Sequence, residues 1–311
     1  MTKICILGGG GFVGRNLVSQ LARRGHRITV PTRQRQRAKD LLVLPDIEVV
    51  ETDIHDLAKL GRLLAGQDAV VNLVGILHGS RQAFEHAHVE LPAKVVAACR
   101  ANGVRRLLHM SALGADGGSR SVYQQSKAGG EKRVLMAKDL DVTVFRPSVI
   151  FGPGDNFLNL FADLLELAPV VPLADGHARF QPVHVADVAR AFALAVDDPA
   201  TFGQAYNLCG PKAYTLAELV RIVADTLGLK RAVVPLNPSL SYLFARLMEL
   251  KPGRKLMTRD DHYAMLVDNV CPEGFPGLFG TPAALEGRLD YLVGRDGIRG
   301  RYDLFRSRAG R

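Results

Sequence analysis

Lys3-Ile4-Cys5-Ile6-Leu7 runs directly into Gly8-Gly9-Gly10-Gly11-Phe12-Val13-Gly14, and this stretch decides the fold. A short apolar run stops at four glycines. From Phe12 to Arg24, Val13, Leu17, Val18, Leu21 and Ala22 then recur at helical spacing, and Gly25 ends the pattern. The reading is strand, turn, helix. Gly8, Gly11 and Gly14 form a G-x-x-G-x-x-G pattern across the turn. Such a turn lets backbone approach a pyrophosphate while a helix N-terminus offers its free N–H groups and the positive end of its dipole. A side chain at Gly8 or Gly11 would block that approach. Gly8, Gly10, Gly11, Phe12, Val13 and Gly14 are therefore the expected dinucleotide contacts, against the plainer reading of a glycine-rich surface turn.

Outward from this turn the chain alternates. Strands are expected at 27–30, 47–51, 69–74, 106–110 and 142–145, and helices at 57–64, 84–101 and 121–138. Alternation of this kind implies βαβ units and a parallel sheet with right-handed crossovers. The expected fold is α/β: a Rossmann-type doubly wound parallel sheet with a smaller C-terminal substrate or partner domain. The boundaries are 1–155 for the nucleotide-binding domain and 156–311 for the second, with about 180–200 packing back on the first. In the second half, Pro147, Pro153, Pro169 and Pro172 interrupt the pattern, and helices are expected at 185–196, 216–227, 240–250, 259–267 and 282–293.

Tyr123 and Lys127 stand four apart at the start of a helix, on one face. A tyrosine serves as acid and base only if its phenolate is stabilised, and an ammonium one turn away does this. The same lysine can hold a ribose. Ser111 lies just past the 106–110 strand, 12 residues before the tyrosine. Tyr123, Lys127 and Ser111 are the candidate catalytic set; the bland reading is a solvated helix face. At the end of the second strand, where an NAD-type site often carries an acid, the chain reads Thr32-Arg33, with Arg35 and Arg37 following. A guanidinium suits a 2′-phosphate, so NADP(H) is preferred, with NAD(H) as the alternative. Asp53-Ile54 is placed to cap an adenine, or Asp53 to cap the helix that follows.

The chain has 311 residues, 47% hydrophobic and 23% charged, which excludes a disordered, collagen-like or coiled-coil protein. Net charge is +9 and the sequence pI about 9.6. Aromatics are only 6% and no tryptophan is present, so the basic tracts lack stacking partners and no nucleic-acid partner is expected. The longest stretch without a formal charge is Ala232–Ala245, 14 residues with two prolines, too short to span a bilayer. The four cysteines are at least 62 residues apart, with no CxxC pair, which suits a reducing compartment. The scattered histidines give no metal set; His78 and His184 are read as a loop and a core histidine at least as readily as substrate contacts. With the first motif glycine at residue 8, a leader segment has no room, and a cytoplasmic location is expected, peripheral on the inner face of a membrane in the second reading below. That reading draws on residues 239–255, where Tyr242, Leu243, Phe244, Leu247, Met248 and Leu250 make a wide apolar face flanked by Lys230, Arg231, Lys251, Arg254 and Lys255. Such a helix can lie on an anionic membrane surface or in a core.

Taken together, these residues resemble the short-chain dehydrogenase/reductase superfamily in its extended, epimerase/dehydratase form. The resemblance rests on the glycine pattern, Asp53-Ile54, Asn72-Leu73-Val74-Gly75, Ser111, Tyr123-x-x-x-Lys127, Arg146-Pro147 through Pro153, and Gln181 through Ala189. It implies dinucleotide contacts at Leu73, Val74, Gly75 and Pro147 and an NAD(P)-dependent oxidoreductase or epimerase working by hydride transfer on a small molecule. More narrowly the chain is similar to the branch holding the nucleotide-binding accessory subunit of respiratory complex I, through Phe145–Gly152, Asp155–Asn159, Gln181-Pro182-Val183 and Gly280-Thr281-Pro282. That branch implies a bound NADPH with a structural role and a respiratory complex as partner. One departure matters: Ala112 stands where catalysing members carry Ser or Thr, and Ser111 is one residue early.

Overall fold

The computed structural model describes residues 1–249 and 257–293. In chain order the elements are β1 (Lys3–Leu7), α1 (Phe12–Arg23), β2 (Arg27–Thr32), β3 (Ile47–Glu51), α2 (Leu57–Leu64), β4 (Ala69–Asn72), α3 (Arg81–Glu85), α4 (Leu91–Ala101), β5 (Arg106–Met110), α5 (Val122–Leu135) and β6 (Asp141–Pro147). There follow β7 (Ile150–Phe151), α6 (Leu158–Leu167), β8 (Val170–Leu173), β9 (Arg179–Phe180), β10 (Val183–His184), α7 (Val185–Ala195) and β11 (Gln204–Leu208). The last are β12 (Tyr214–Thr215), α8 (Leu216–Thr226), β13 (Ala232–Pro235), α9 (Pro238–Glu249) and α10 (Arg259–Met265).

Seven parallel strands form one sheet in the order β11-β6-β5-β4-β1-β2-β3. Strand order reverses between β1 and β4, and an open α/β sheet binds ligands outside the carboxyl ends of strands at that point. Ile4 to Leu7 and Val70 to Val71 are fully buried, as a sheet covered on both faces requires. On one face Leu60 and Leu64 of α2, Val95 and Cys99 of α4 and Val134 of α5 pack over Cys5, Val70 and Leu107. On the other, α1 lies against α7.

The chain divides into two compact units. The first comprises Met1–Pro147, Val185–Leu208 and Pro276–Gly280; the second comprises Ser148–His184, Cys209–Phe275 and Thr281–Arg311. The second is built on pairs of short strands, β7 with β10, β9 with β12 and β8 with β13, around a core of Phe151, Leu158, Phe161, Leu219, Val220 and Leu292. Cys209 and Cys271 are joined in a disulfide within it. With that pair joined, cysteine usage no longer argues for a reducing compartment.

Helix α6 and the short strands of the second unit lie outside the expectation, and further elements depart from it as follows. No α-helix forms over 282–293; the segment makes two short 3-10 turns, Glu286–Arg288 and Asp290–Leu292. Gly287 weakens a helix there, and tertiary bonds fix both ends: Glu286 accepts from the Tyr214 hydroxyl at 2.7 Å, and Tyr291 binds Asp155 and accepts from the Gly152 N–H at 3.2 Å. The helix expected at 84–101 begins earlier, at Arg81, capped by Ser80, and contains a π-turn over His86–Glu90. Strand β11 was not expected; Gln204 and Ala205 are exposed at the sheet edge, so it lacks an apolar run. The apolar helix expected at 240–250 is α9, with Leu240 and Leu243 about half exposed. The side chains of Leu247 and Met248, residues 250–255 and the arginine-rich tail from Arg295 lie outside the described residues.

Candidate active site

The glycine loop folds as its spacing demands. Gly8 takes a left-handed φ of 82°, a conformation that glycine adopts without penalty. A Cβ at Gly14 would stand 2.3 Å from the Gly8 carbonyl oxygen, so only glycine lets the first turn of α1 pass over the loop. At Gly10 the space is open, with Ala38 at 3.7 Å the nearest atom to a Cβ. Gly11 is the N-cap of α1; no side chain caps it and no acid lies in the first turn. The Leu73 N–H donates to the Leu7 carbonyl at 2.9 Å, which places the ends of β1 and β4 side by side. Asn72 Oδ1 accepts from the Val74 N–H at 3.1 Å and holds the Leu73-Val74-Gly75 stretch beside the loop. Ile54 packs on the core behind. The open backbone and uncapped helix end are features a pyrophosphate needs. Arg15 was missed from the sequence: its Nε donates to the Gly10 carbonyl at 3.0 Å and its guanidinium pairs with Asp40 at 3.1 Å, bracing the loop.

At the end of β2 the Thr32 hydroxyl and the Gln34 backbone close a small turn, which presents Arg33 to solvent. Arg33, Glu51, Thr52, Asp53, His55 and His86 line one depression. Asp53 does not cap α2; Asp56 does, accepting from the Ala58 and Lys59 N–H groups. Asp53 Oδ1 instead accepts from the His55 N–H at 2.9 Å. His55 stacks on His86 with centroids 3.9 Å apart, and burial followed by the neighbouring His86 lowers its basicity.

Lys127 is buried on α5 and donates from Nζ to the Met110 carbonyl at 2.7 Å, at the end of β5. A Cβ on Gly75 would lie 3.9 Å from the same nitrogen. Burial pulls the Lys127 ammonium down to about 8, with Glu131 opposing it. Ser111 follows Met110; its hydroxyl is buried and has no hydrogen-bond partner among the described residues. Its N–H donates to the Phe145 carbonyl at 2.7 Å, and the Pro147 carbonyl accepts from Leu113 at 2.9 Å, so the ends of β5 and β6 are tied together. Tyr123 sits one turn before Lys127, with its ring edge-on to Phe84 at 6.0 Å and to His88 at 5.6 Å. The structure thus brings Lys127, Gly75 and Met110–Ser111 together. Arg33 and Asp53 share a second cluster with His55. His184, only partly buried, packs edge-on to Phe151 at 5.2 Å, and His78 is exposed.

The model of the NAD dependent epimerase/dehydratase family matches residues 4–209. The chain belongs to this family. It is 30% identical over 280 residues, 88% of its length and 74% of the other's, to mouse NADH dehydrogenase [ubiquinone] 1 alpha subcomplex subunit 9, mitochondrial. A ceramide reductase of Caulobacter vibrioides is 31% identical over 238 residues, 75% of this chain and 73% of that protein. Among solved structures, dTDP-glucose 4,6-dehydratase of Streptomyces venezuelae, with NAD bound, superposes with a TM-score of 0.68 at 25% identity, over 76% of this chain and 85% of the other. Among the described residues no cluster of His, Cys, Asp or Glu could hold a metal ion, and no helix is long and apolar enough to cross a membrane.

Proposed function

We propose that the chain binds NADP(H) across the β1/β4 switch point and acts as an oxidoreductase or epimerase on a carbonyl or secondary alcohol. The observation that carries this reading is the Ser111 hydroxyl: buried, without a partner among the described residues, and next in the chain to the carbonyl that anchors Lys127. An unpaired buried donor costs about 1–3 kcal/mol. A group that accepts its proton, a reacting oxygen or a water standing in its place, offsets that cost. In this reading Gly8, Gly10, Gly11, Phe12, Val13 and Gly14 cradle the pyrophosphate, Arg33 meets the 2′-phosphate, Asp53 and Ile54 face the adenine, and Leu73, Val74, Gly75 and Pro147 border the nicotinamide side. Bound there, the nicotinamide supplies or accepts hydride. Tyr123 gives or takes the proton at the substrate oxygen, Ser111 orients that oxygen, and Lys127 holds ribose and favours the phenolate.

A second reading is favoured by similarity across 88% of the chain to the mouse complex I subunit. Here the dinucleotide stabilises the fold by mass action, and the chain is an accessory or assembly subunit of a respiratory NADH:quinone oxidoreductase, peripheral on the membrane. The half-exposed Leu240 and Leu243 of α9, with the basic 251–255 segment beyond it, would meet partner or anionic lipid. Tyr123→Phe separates the two. In the enzyme reading it keeps NADPH affinity and loses turnover of carbonyl substrates by at least about a hundredfold. A variant that retains NADPH, supports growth like the parent and migrates with a large NADH-oxidising assembly from gently solubilised membranes makes the accessory reading the correct one.

A further inference from the structure

His88 lies in the π-turn between α3 and α4, is 2% exposed, and touches both halves of the site. Its Nε2 lies 2.9 Å from the Ile76 N–H, the amide that follows Gly75 in the loop after β4. Its Nδ1 lies 2.8 Å from Ser126 Oγ on α5. Ser126 Oγ in turn donates to the Tyr123 carbonyl at 2.7 Å. These bonds admit one arrangement of protons. The Ile76 N–H can only donate, so Nε2 accepts. The Ser126 proton goes to Tyr123, so Nδ1 carries the hydrogen and donates to Ser126. A second proton on the ring would set Nε2–H against the Ile76 N–H. Burial, and after it the nearby Lys127, push the imidazole down to about 3, so the neutral form holds at physiological pH.

The surroundings make this contact close and rigid. A Cβ at Gly130 would stand 1.8 Å from the His88 carbonyl oxygen, so α5 passes over the π-turn at a distance only glycine permits. On the other side, a Cβ at Gly75 would lie 3.5 Å from His88 Nε2 and 3.9 Å from Lys127 Nζ. The ring also meets Tyr123 edge-on at 5.6 Å.

We propose that His88 is a positioning residue: a neutral imidazole, fixed in the Nδ1–H tautomer, that ties the loop after β4 to the first turns of α5, so that the stretch facing the dinucleotide and the helix carrying Tyr123 keep one geometry. This rests on the reading of Leu73–Gly75 and Tyr123 given above. The link has two halves, and two conservative substitutions divide them. His88→Gln places an acceptor near the Nε2 position and keeps the bond to Ile76. His88→Asn places an amide near the Nδ1 position and keeps the bond to Ser126.

The test uses the full chain, NADPH titration by fluorescence, and the backbone carbonyl carbon resonance of Tyr123, which accepts from Ser126 Oγ, in protein carrying carbonyl-labelled tyrosine, assigned by its loss in Tyr123→Phe. The Gln variant is expected to bind NADPH within about twofold of the parent and to shift the Tyr123 signal. The Asn variant is expected to keep the parent's Tyr123 signal and to bind NADPH about tenfold more weakly. His88→Ala should show both losses. Two conservative variants indistinguishable from the parent, or two with the same pair of losses, overturn the proposal. If the parent itself does not bind NADPH, the dinucleotide reading fails. The Tyr123 signals of the nucleotide-free Asn and Gln variants still decide the helix half of the link.

Discussion

Two places in the first unit depend on glycine for a close approach, and they differ in how the chain announces them. In the Gly8–Gly14 loop the glycines come at fixed spacing between an apolar run and a helix, and backbone alone forms the cradle. At Gly129-Gly130 two glycines sit in the middle of α5, where helix propensity argues against them. Their purpose appears only when the π-turn carbonyl of His88 is found against Gly130. The first site is shaped by backbone for a ligand. The second is shaped by backbone so that side chains, His88, Ser126 and Lys127, can meet. Recurrent spacing makes a ligand cradle visible in one dimension, whereas a contact between two helices leaves no local pattern.

The sharpest way to break this comparison is Gly130→Ala. In an exposed helix the change would stabilise by about 1 kcal/mol. Against the His88 carbonyl it should destabilise by at least about 3 kcal/mol, measured by denaturant unfolding. Gly129→Ala, where a Cβ would meet Val89 Cγ2 at 3.0 Å, should stay far nearer to neutral. Equal effects at the two positions would mean that α5 is not held against the π-turn.

A smaller effect comes from Lys127. Its folded-state pKa is lowered, so the unfolded chain binds more protons between about 8 and the ordinary lysine value of 10.5. Stability contributed by this group is therefore reduced below pH 8 and recovers as pH rises through that window. From pH 7 to pH 10 the parent should gain on the order of 2 kcal/mol relative to Lys127→Met in matched unfolding curves. Parallel curves would show that the ammonium is not desolvated. Next, Arg33→Asp should weaken NADPH binding by about tenfold or more while affecting NADH much less; an unchanged ratio of the two affinities removes the 2′-phosphate assignment. The smallest change has the opposite sign. Ser111→Ala deletes a buried hydroxyl that has no partner among the described residues and should raise the stability of the nucleotide-free protein by about 1 kcal/mol. A loss of stability would mean that the hydroxyl is satisfied within the fold.

Much of the first unit was readable because its strands are short, apolar and buried on both faces: β1, β3, β5 and α2 fall on the residues their patterns predict. Where side chains beyond the local pattern decide, the reading failed. The 282–293 segment has helical punctuation, with Thr281, Pro282 and Gly294, yet Tyr214 and Asp155 hold it in separate turns. Asp53 and Asp56 are equal candidates to cap α2 by type, and only the turn geometry selects Asp56. His88 was passed over as one of several scattered histidines, since nothing near it in the chain names Ile76 or Ser126 as partners. A signal did exist: a histidine within an apolar helical run, four residues before a proline, is a polar group that must be paired.

The π-turn at 86–90 carries a consequence for the angular phase of the helical run from Arg81 to Ala101. A wide turn is equivalent to one residue inserted into a regular helix. Deleting a residue from it would leave a tighter ladder of hydrogen bonds, a gain judged locally. The same deletion would turn α3 by about 100° relative to α4. Phe84 would then leave the ring of Tyr123, and the His88 position would turn away from Ile76 or Ser126. Helix regularity and site geometry are therefore in competition along this segment, and the chain retains the irregular winding that keeps the aromatic and imidazole rings on one side.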